Sequence, residues 1–184
     1  MTAPRTISPP GRPSFKLFIN GEEVPRSVNI LLIEVSNQFN RIATARIVLA
    51  DGDAAAQTFA QSSGELFVPG KEIDVQLGYN DLLESVFKGV VVKQKIESRG
   101  NSSVLEITCK HYAYRMATTE NFKVFQDISD EDVISQLAQN HGIVLNTTGP
   151  TTQHENLVQY KCSDWDFVVN RVESNGQMLV CQDR

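Results

Sequence analysis

Long apolar runs are missing from this sequence: the longest, such as Ile30-Leu31-Leu32-Ile33 and Val90-Val91-Val92, fall far short of the roughly 20 residues that a membrane-spanning helix requires. No transmembrane helix, and so no stable membrane insertion, is expected. Cysteine is scarce as well. Cys109, Cys162 and Cys181 are odd in number and form no close pair, which argues against a disulfide framework and for a reducing compartment during folding. Basic runs are absent too. Acidic residues outnumber basic ones, 22 against 17, for a net charge of −5, so nothing here would release counterions from a phosphate backbone, and no nucleic acid partner is expected. An export signal is also lacking: residues 1–13 hold four of the seven prolines and no apolar core, and read as a flexible leader.

Catalytic signatures are equally hard to find. The chain has no Gly-x-Ser-x-Gly elbow, no phosphate-cradling glycine loop ending in Lys-Ser/Thr, no His-Glu-x-x-His and no Cys-x-x-Cys. Asp51-Gly52-Asp53 begins like a calcium loop, but Ser62 stands where the bidentate glutamate belongs. Cys109, His111, His141, His154 and Cys162 are zinc-type ligands scattered singly, a pattern more typical of packed or solvated side chains. Asp127, Asp130, Glu131 and Asp132 have a sufficient explanation in the positive end of a helix dipole. Asp164 and Asp166 flank Trp165 like a glycosidase carboxylate pair beside a sugar platform. Carboxylates on one helical turn, however, project around the helix rather than across a cleft. No metal, cofactor or catalytic residue is therefore assigned, and the chain is read as a non-enzyme.

What the sequence does contain is an ordinary globular composition, 41% hydrophobic and 21% charged in 184 residues, enough to bury a core without a metal or disulfide. Residues 15–19 run into Asn20-Gly21, the signature of a tight β-hairpin. Strands are expected over residues 28–35, 43–49, 73–77, 85–96 and 103–110, the last two separated by a polar loop at 98–102. Residues 54–60 could form a helical turn. Six or seven strands at this spacing suggest an antiparallel barrel or sandwich, which hides strand edges.

After Thr118 the pattern changes. Ser129 is a good N-cap, Val133, Ile134, Leu137 and Ala138 share one face, and Gly142 supplies a stop, so residues 129–141 read as a helix. The same grammar recurs at 163–175: Ser163 caps, Asp164 and Asp166 fill the first turn, Trp165, Val168, Val169 and Val172 form an apolar stripe, and Gly176 ends it. Short strands are expected at 143–145 and from Met178, with a loop at 147–156. A chain stopping at Arg184, directly after a strand without partners, reads as the N-terminal part of something longer.

Two segments carry a family likeness. Pro69-Gly70-Lys71-Glu72-Ile73-Asp74-Val75-Gln76-Leu77-Gly78-Tyr79, followed by Val86-Phe87-Lys88-Gly89-Val90-Val91, resembles the first-barrel motif of the valine-glycine repeat protein G and phage late control protein D families. The stretch Gln159-Tyr160-Lys161-Cys162-Ser163-Asp164-Trp165-Asp166-Phe167-Val168, continuing through Arg171, Glu173 and Gly176, is similar to a second conserved stretch of those families, and Phe125-Gln126 matches the approach to it.

The resemblance implies a mainly β fold with a small α+β part. It divides into the leader at 1–13, a first antiparallel barrel at 14–118, and, at 119–184, a helical linker with the start of a second related barrel. Pro69, Gly70, Gly78, Phe87, Gly89, Tyr160, Ser163, Asp164, Trp165, Phe167, Arg171 and Gly176 would then be structural motif residues. The implied role is the baseplate hub or spike of a contractile injection system, such as a type VI secretion apparatus or phage tail. Such a protein is made in the cytoplasm and assembled into the particle. It would be a homotrimer at full length, with tail-tube, spike-tip and baseplate proteins as partners. The alternatives are a peptidoglycan hydrolase using Asp164 or Asp166, or a module binding carbohydrate through a row of exposed aromatics. Four tyrosines and one tryptophan, mostly on apolar faces, do not suggest such a row.

Overall fold

The computed structural model describes residues 11–52, 62–99, 102–146 and 152–182. Its larger part is one antiparallel sheet built from β1 (Pro13–Ile19), β2 (Glu22–Glu23), β3 (Ile30–Ser36), β4 (Thr44–Asp51), β5 (Glu72–Tyr79), β6 (Leu82–Arg99) and β7 (Ser102–Lys110). The hydrogen-bonded order is β2-β1-β5-β6-β7-β4-β3. Asn20 and Gly21 adopt φ of 49° and 84°, the paired positive values that a two-residue hairpin between twisted strands demands.

The sheet cannot be flat. Its edges, β2 and β3, are joined by the short segment 24–29, which reaches at most about 25 Å when fully extended. Seven flat strands would hold the edges about 29 Å apart. Register shifts between Ile30 and Leu32, Val75 and Gln76, and Val91 and Lys93 supply the extra twist that lets the sheet curl.

Period-two alternation decides which face curls inward. Ala45, Ile47 and Leu49 of β4 stand opposite Cys109, Ile107 and Leu105 of β7, and all six are at most 1% exposed. Ile73 and Val75 of β5 and Phe87 and Val91 of β6 extend this core, and Phe67 closes over it. Each large aliphatic side chain buried in this way contributes roughly 1.5–3 kcal/mol relative to exposure.

After β7 the chain makes a 3-10 helix (Tyr112–Ala117) and then two strand–helix units: β8 (Glu120–Ser129) into α1 (Asp130–Asn140), and β9 (Gln153–Ser163) into α2 (Asp164–Ser174). β8 and β9 pair antiparallel, from Glu120 opposite Ser163 to Ser129 opposite Gln153. Both helices form where the capping grammar places them. The Ser129 and Ser163 hydroxyls accept from the N–H groups of Asp132 and Asp166, each at 3.0 Å, and Gly142 and Gly176 take the left-handed conformation just past the helix ends. Val133, Ile134, Leu137 and Ala138 of α1, and Trp165, Phe167, Val168 and Val172 of α2, are buried.

The strands around these helices differ from the sequence reading. Neither β8 nor β9 was expected as a strand, and 143–145 is not one. Residues 178–181 do not form a strand either. Their backbone groups bond to the β3–β4 loop instead: Leu179 N–H donates to Asn40 Oδ1, its carbonyl accepts from Asn40 N–H, and the Cys181 carbonyl accepts from Asn37 Nδ2. The proposed helical turn at 54–60 lies outside the described residues.

Candidate functional site

The motif residues occupy two separate places. In the curled sheet, Gly70 turns the chain into β5 with a φ of 98°, and its N–H donates to the Val91 carbonyl at 2.8 Å. A Cβ on Gly78 would collide with the Leu82 carbonyl, and one on Gly89 with the Lys110 carbonyl, so both glycines serve close backbone approach. Phe87 is core, and Pro69 lies exposed beside the turn. None of these residues presents reactive chemistry.

The second place is polar and buried. Asp164, the first residue of α2, is 2% exposed. Its Oδ1 accepts from Gln159 Nε2 and Asn121 Nδ2, each at 2.8 Å. Oδ2 lies 2.8 Å from Nε2 of His141, the residue that ends α1, and Lys123 Nζ is 3.7 Å from Oδ1. Burial by itself pushes the Asp164 carboxyl up, but the hydrogen bonds from Gln159, His141 and Asn121, with the Lys123 charge, outweigh it and hold the carboxyl below its ordinary value.

Asp130, the first residue of α1, mirrors this arrangement. It is 3% exposed, and its Oδ2 accepts at 2.8 Å from Nδ2 of Asn175, the residue that ends α2. His154 Nε2 and Arg171 Nη1 lie 3.0 and 3.7 Å from its Oδ1, but the imidazole is not aligned for a hydrogen bond. Each strand–helix unit thus sends a buried carboxylate to the end of the other unit's helix. Dipole stabilisation at a helix start accounts for the exposed neighbours but not for this burial, and the partners come from elements far apart in sequence.

This geometry suits cross-bracing, not catalysis. A general acid needs a raised carboxyl pKa, and Asp164 moves the other way. Asp166 Oδ2 accepts from the Ser163 hydroxyl at 2.7 Å, within the same cap. Asp51 accepts from Gly52 and Ser62 N–H groups, each at 3.0 Å, and so ties a turn; Asp53 lies outside the described residues. Cys109 is fully buried, which pushes its thiol up to about 12. His111 Nδ1 accepts from Ala113 N–H at the start of the 3-10 helix. Among the described residues no three His, Cys, Asp or Glu side chains gather as metal ligands, and no helix is long and apolar enough to cross a membrane.

The tyrosines correct the sequence reading: none is buried, and Tyr79 and Tyr160 are 63% and 73% exposed. They form no row. Tyr114 and Tyr112 lie under Lys110 and Arg115, whereas Tyr160 stands edge-on to Phe122, its cross-strand partner, at 5.3 Å between ring centres. With Val124 and Val158, also opposite one another, this pair leaves the outer face of the β8–β9 ribbon apolar and exposed.

No curated protein matches the chain in sequence. Among solved structures it is similar to the prophage MuSo2 43 kDa tail protein from Shewanella oneidensis, with a TM-score of 0.69 at 11% identity, covering 94% of this chain and 54% of that one. It is similar also to the E. coli c3393 protein, a component of the type VI secretion system with structural similarity to the T4 bacteriophage tail proteins gp27 and gp5. There the TM-score is 0.64 at 18% identity over 85% of this chain and 42% of that one. In the lidded Francisella PdpA-VgrG complex the match has a TM-score of 0.59 at 10% identity, over 88% of this chain and 25% of that one. The chain spans about half or less of these structures, and at such identities the likeness is one of fold: the mainly β architecture of tail and type VI secretion proteins that the motifs implied. A family model described as the Alg8 N-terminal domain matches residues 11–184, and the chain belongs to that family.

Proposed function

We propose that the chain is a structural part of the hub or spike of a contractile injection apparatus, adapting a tail tube to the piercing spike. The observation that supports this reading is the shared fold, which covers 85–94% of the chain in a type VI secretion component and a prophage tail protein. The buried carboxylates agree with it, because Asp130 and Asp164 brace elements together through hydrogen bonds. In this reading residues 14–118 are the first barrel, 119–184 lead into a second, and the motif residues hold the fold. The full-length protein is a homotrimer whose partners are tube, spike-tip and baseplate proteins. Nothing in the geometry of Asp164 and Asp166 favours a hydrolase.

Deleting the coding segment and counting assembled particles by electron microscopy tests the role. Loss of tubes joined to spikes is expected, and particles in normal number would overturn it. Light scattering on the purified full-length protein should give three times its chain mass.

A further inference from the structure

Among the described residues, β1 lacks a strand neighbour on one side along half of its length. β2 pairs with it only through Glu23 and Glu22, opposite Phe18 and Ile19, and Val24 N–H adds one bond to the Leu17 carbonyl at 2.8 Å. Towards its start β1 keeps β5 on one side and, among the described residues, has no strand on the other. Alternation identifies the open groups. Since the Leu17 carbonyl faces β2, the Leu17 N–H and both backbone groups of Phe15, two residues back, face the same side. Among the described residues β3 pairs with β4 alone, so no described strand covers its outer edge.

A groove of about 670 Å³ occupies this place. It is lined by five consecutive residues of β1, Pro13 to Leu17, and from the other side by Val28 and Ile30. The core residues Leu17, Val24 and Val28 give it an apolar base, although most of its exposed lining is polar. Lys16 on its rim is matched by Glu23 at 3.0 Å. Arg12 and Arg26 also line it, against the single remaining carboxylate of Asp81, which makes the rim locally basic on a chain of net charge −5.

We propose that this groove accepts an extended, carboxylate-bearing segment of another polypeptide, which adds as a strand between β1 and β3. Backbone bonds to Phe15 and Leu17 would supply affinity, and alternate side chains would meet the apolar base and the two guanidinium groups. The chain's own leader fits poorly: Pro4, Pro9 and Pro10 have no N–H to donate. The inference stands on these strand edges and is independent of the hub reading.

The test pans a phage-displayed library of random twelve-residue peptides against the 184-residue chain, then adds an enriched peptide to isotope-labelled protein and follows amide exchange. Enrichment of proline-poor, acidic peptides that slow exchange at Phe15 and Leu17 is expected. Arg26→Glu, an exposed change, should weaken binding by about fivefold. Phe15→Pro, which removes an N–H that β5 does not use, should abolish it while circular dichroism stays unchanged. If Phe15→Pro fails to fold, the exchange result and Arg26→Glu decide. No enrichment, peptides that leave Phe15 exchange unaltered, or equal binding to Arg26→Glu would each overturn the proposal.

Discussion

His141 Nε2 lies 2.8 Å from Asp164 Oδ2, so the residue that caps the end of α1 is bonded to the first residue of α2. Asn175 and Asp130 repeat the contact in the opposite sense. Two short helices that are weak by themselves are thereby held at both ends.

Removing the first carboxylate should therefore harm more than one element. Asp164→Ala strands the donors of Gln159, Asn121 and His141, and is expected to lower stability by about 1–3 kcal/mol, the penalty for buried groups left unpaired. Urea denaturation measures this. A loss no larger than that of Asp166→Ala would show that the bracing is unimportant.

The pH profile has a predictable sign at both ends. Asp164 is held below its ordinary value, so its contribution is complete above the unfolded value of about 3.9 and is lost as pH falls through the folded one. Cys109 runs the other way. Its thiol stays protonated in the fold up to about 12, whereas the unfolded thiol ionises from about pH 8.5, so stability declines above that value. Urea midpoints should form a plateau at neutral pH, with Asp164→Asn shrinking the acid decline and Cys109→Ala the alkaline one.

Burial makes a second statement about Cys109. Iodoacetamide at pH 8 should leave it unmodified in the native chain and label it in urea, because no thiolate forms and no reagent reaches a fully buried sulfur. Native labelling read by peptide mass spectrometry would contradict its place in the β4–β7 core.

The caps can be tested singly. Ser129→Ala and Ser163→Ala each remove the acceptor of one helix-start N–H and should each cost about 1 kcal/mol by thermal or urea unfolding. A Ser→Gly change at either position should cost only a few tenths.

The ribbon face separates solubility from stability. Val124→Thr with Val158→Thr keeps β-branched side chains on an exposed surface, so unfolding should shift by less than about 0.5 kcal/mol while the solubility limit rises. A large loss of stability would mean that the two valines pack against something in the monomer.

Local signals were legible wherever the cause is local. Asn20-Gly21 turns by its own backbone freedom, and Ser129 and Ser163 cap helices through atoms three residues away, so hairpin and helices lie where a reader of the sequence would put them. β8 and β9 were not legible. A register shift at Asn121 and Phe122 breaks the alternation, and apolar residues fall on both faces, Phe125 inward and Phe122 and Val124 outward. Met178, Leu179, Val180 and Cys181 have the composition of a strand, yet their backbone groups are taken by the loop at Asn37 and Asn40.

The sequence by itself determined the mainly β class, the two capped helices and the absence of familiar catalytic signatures, because each follows from neighbours within a few residues. Only the tertiary structure decided that Asp130 and Asp164 are buried cross-braces, that no tyrosine is buried, and that, among the described residues, half of β1 faces a groove. A carboxylate at a helix start looks the same in sequence whether water or His141 solvates it, and a strand edge is open or paired according to what the rest of the chain places beside it.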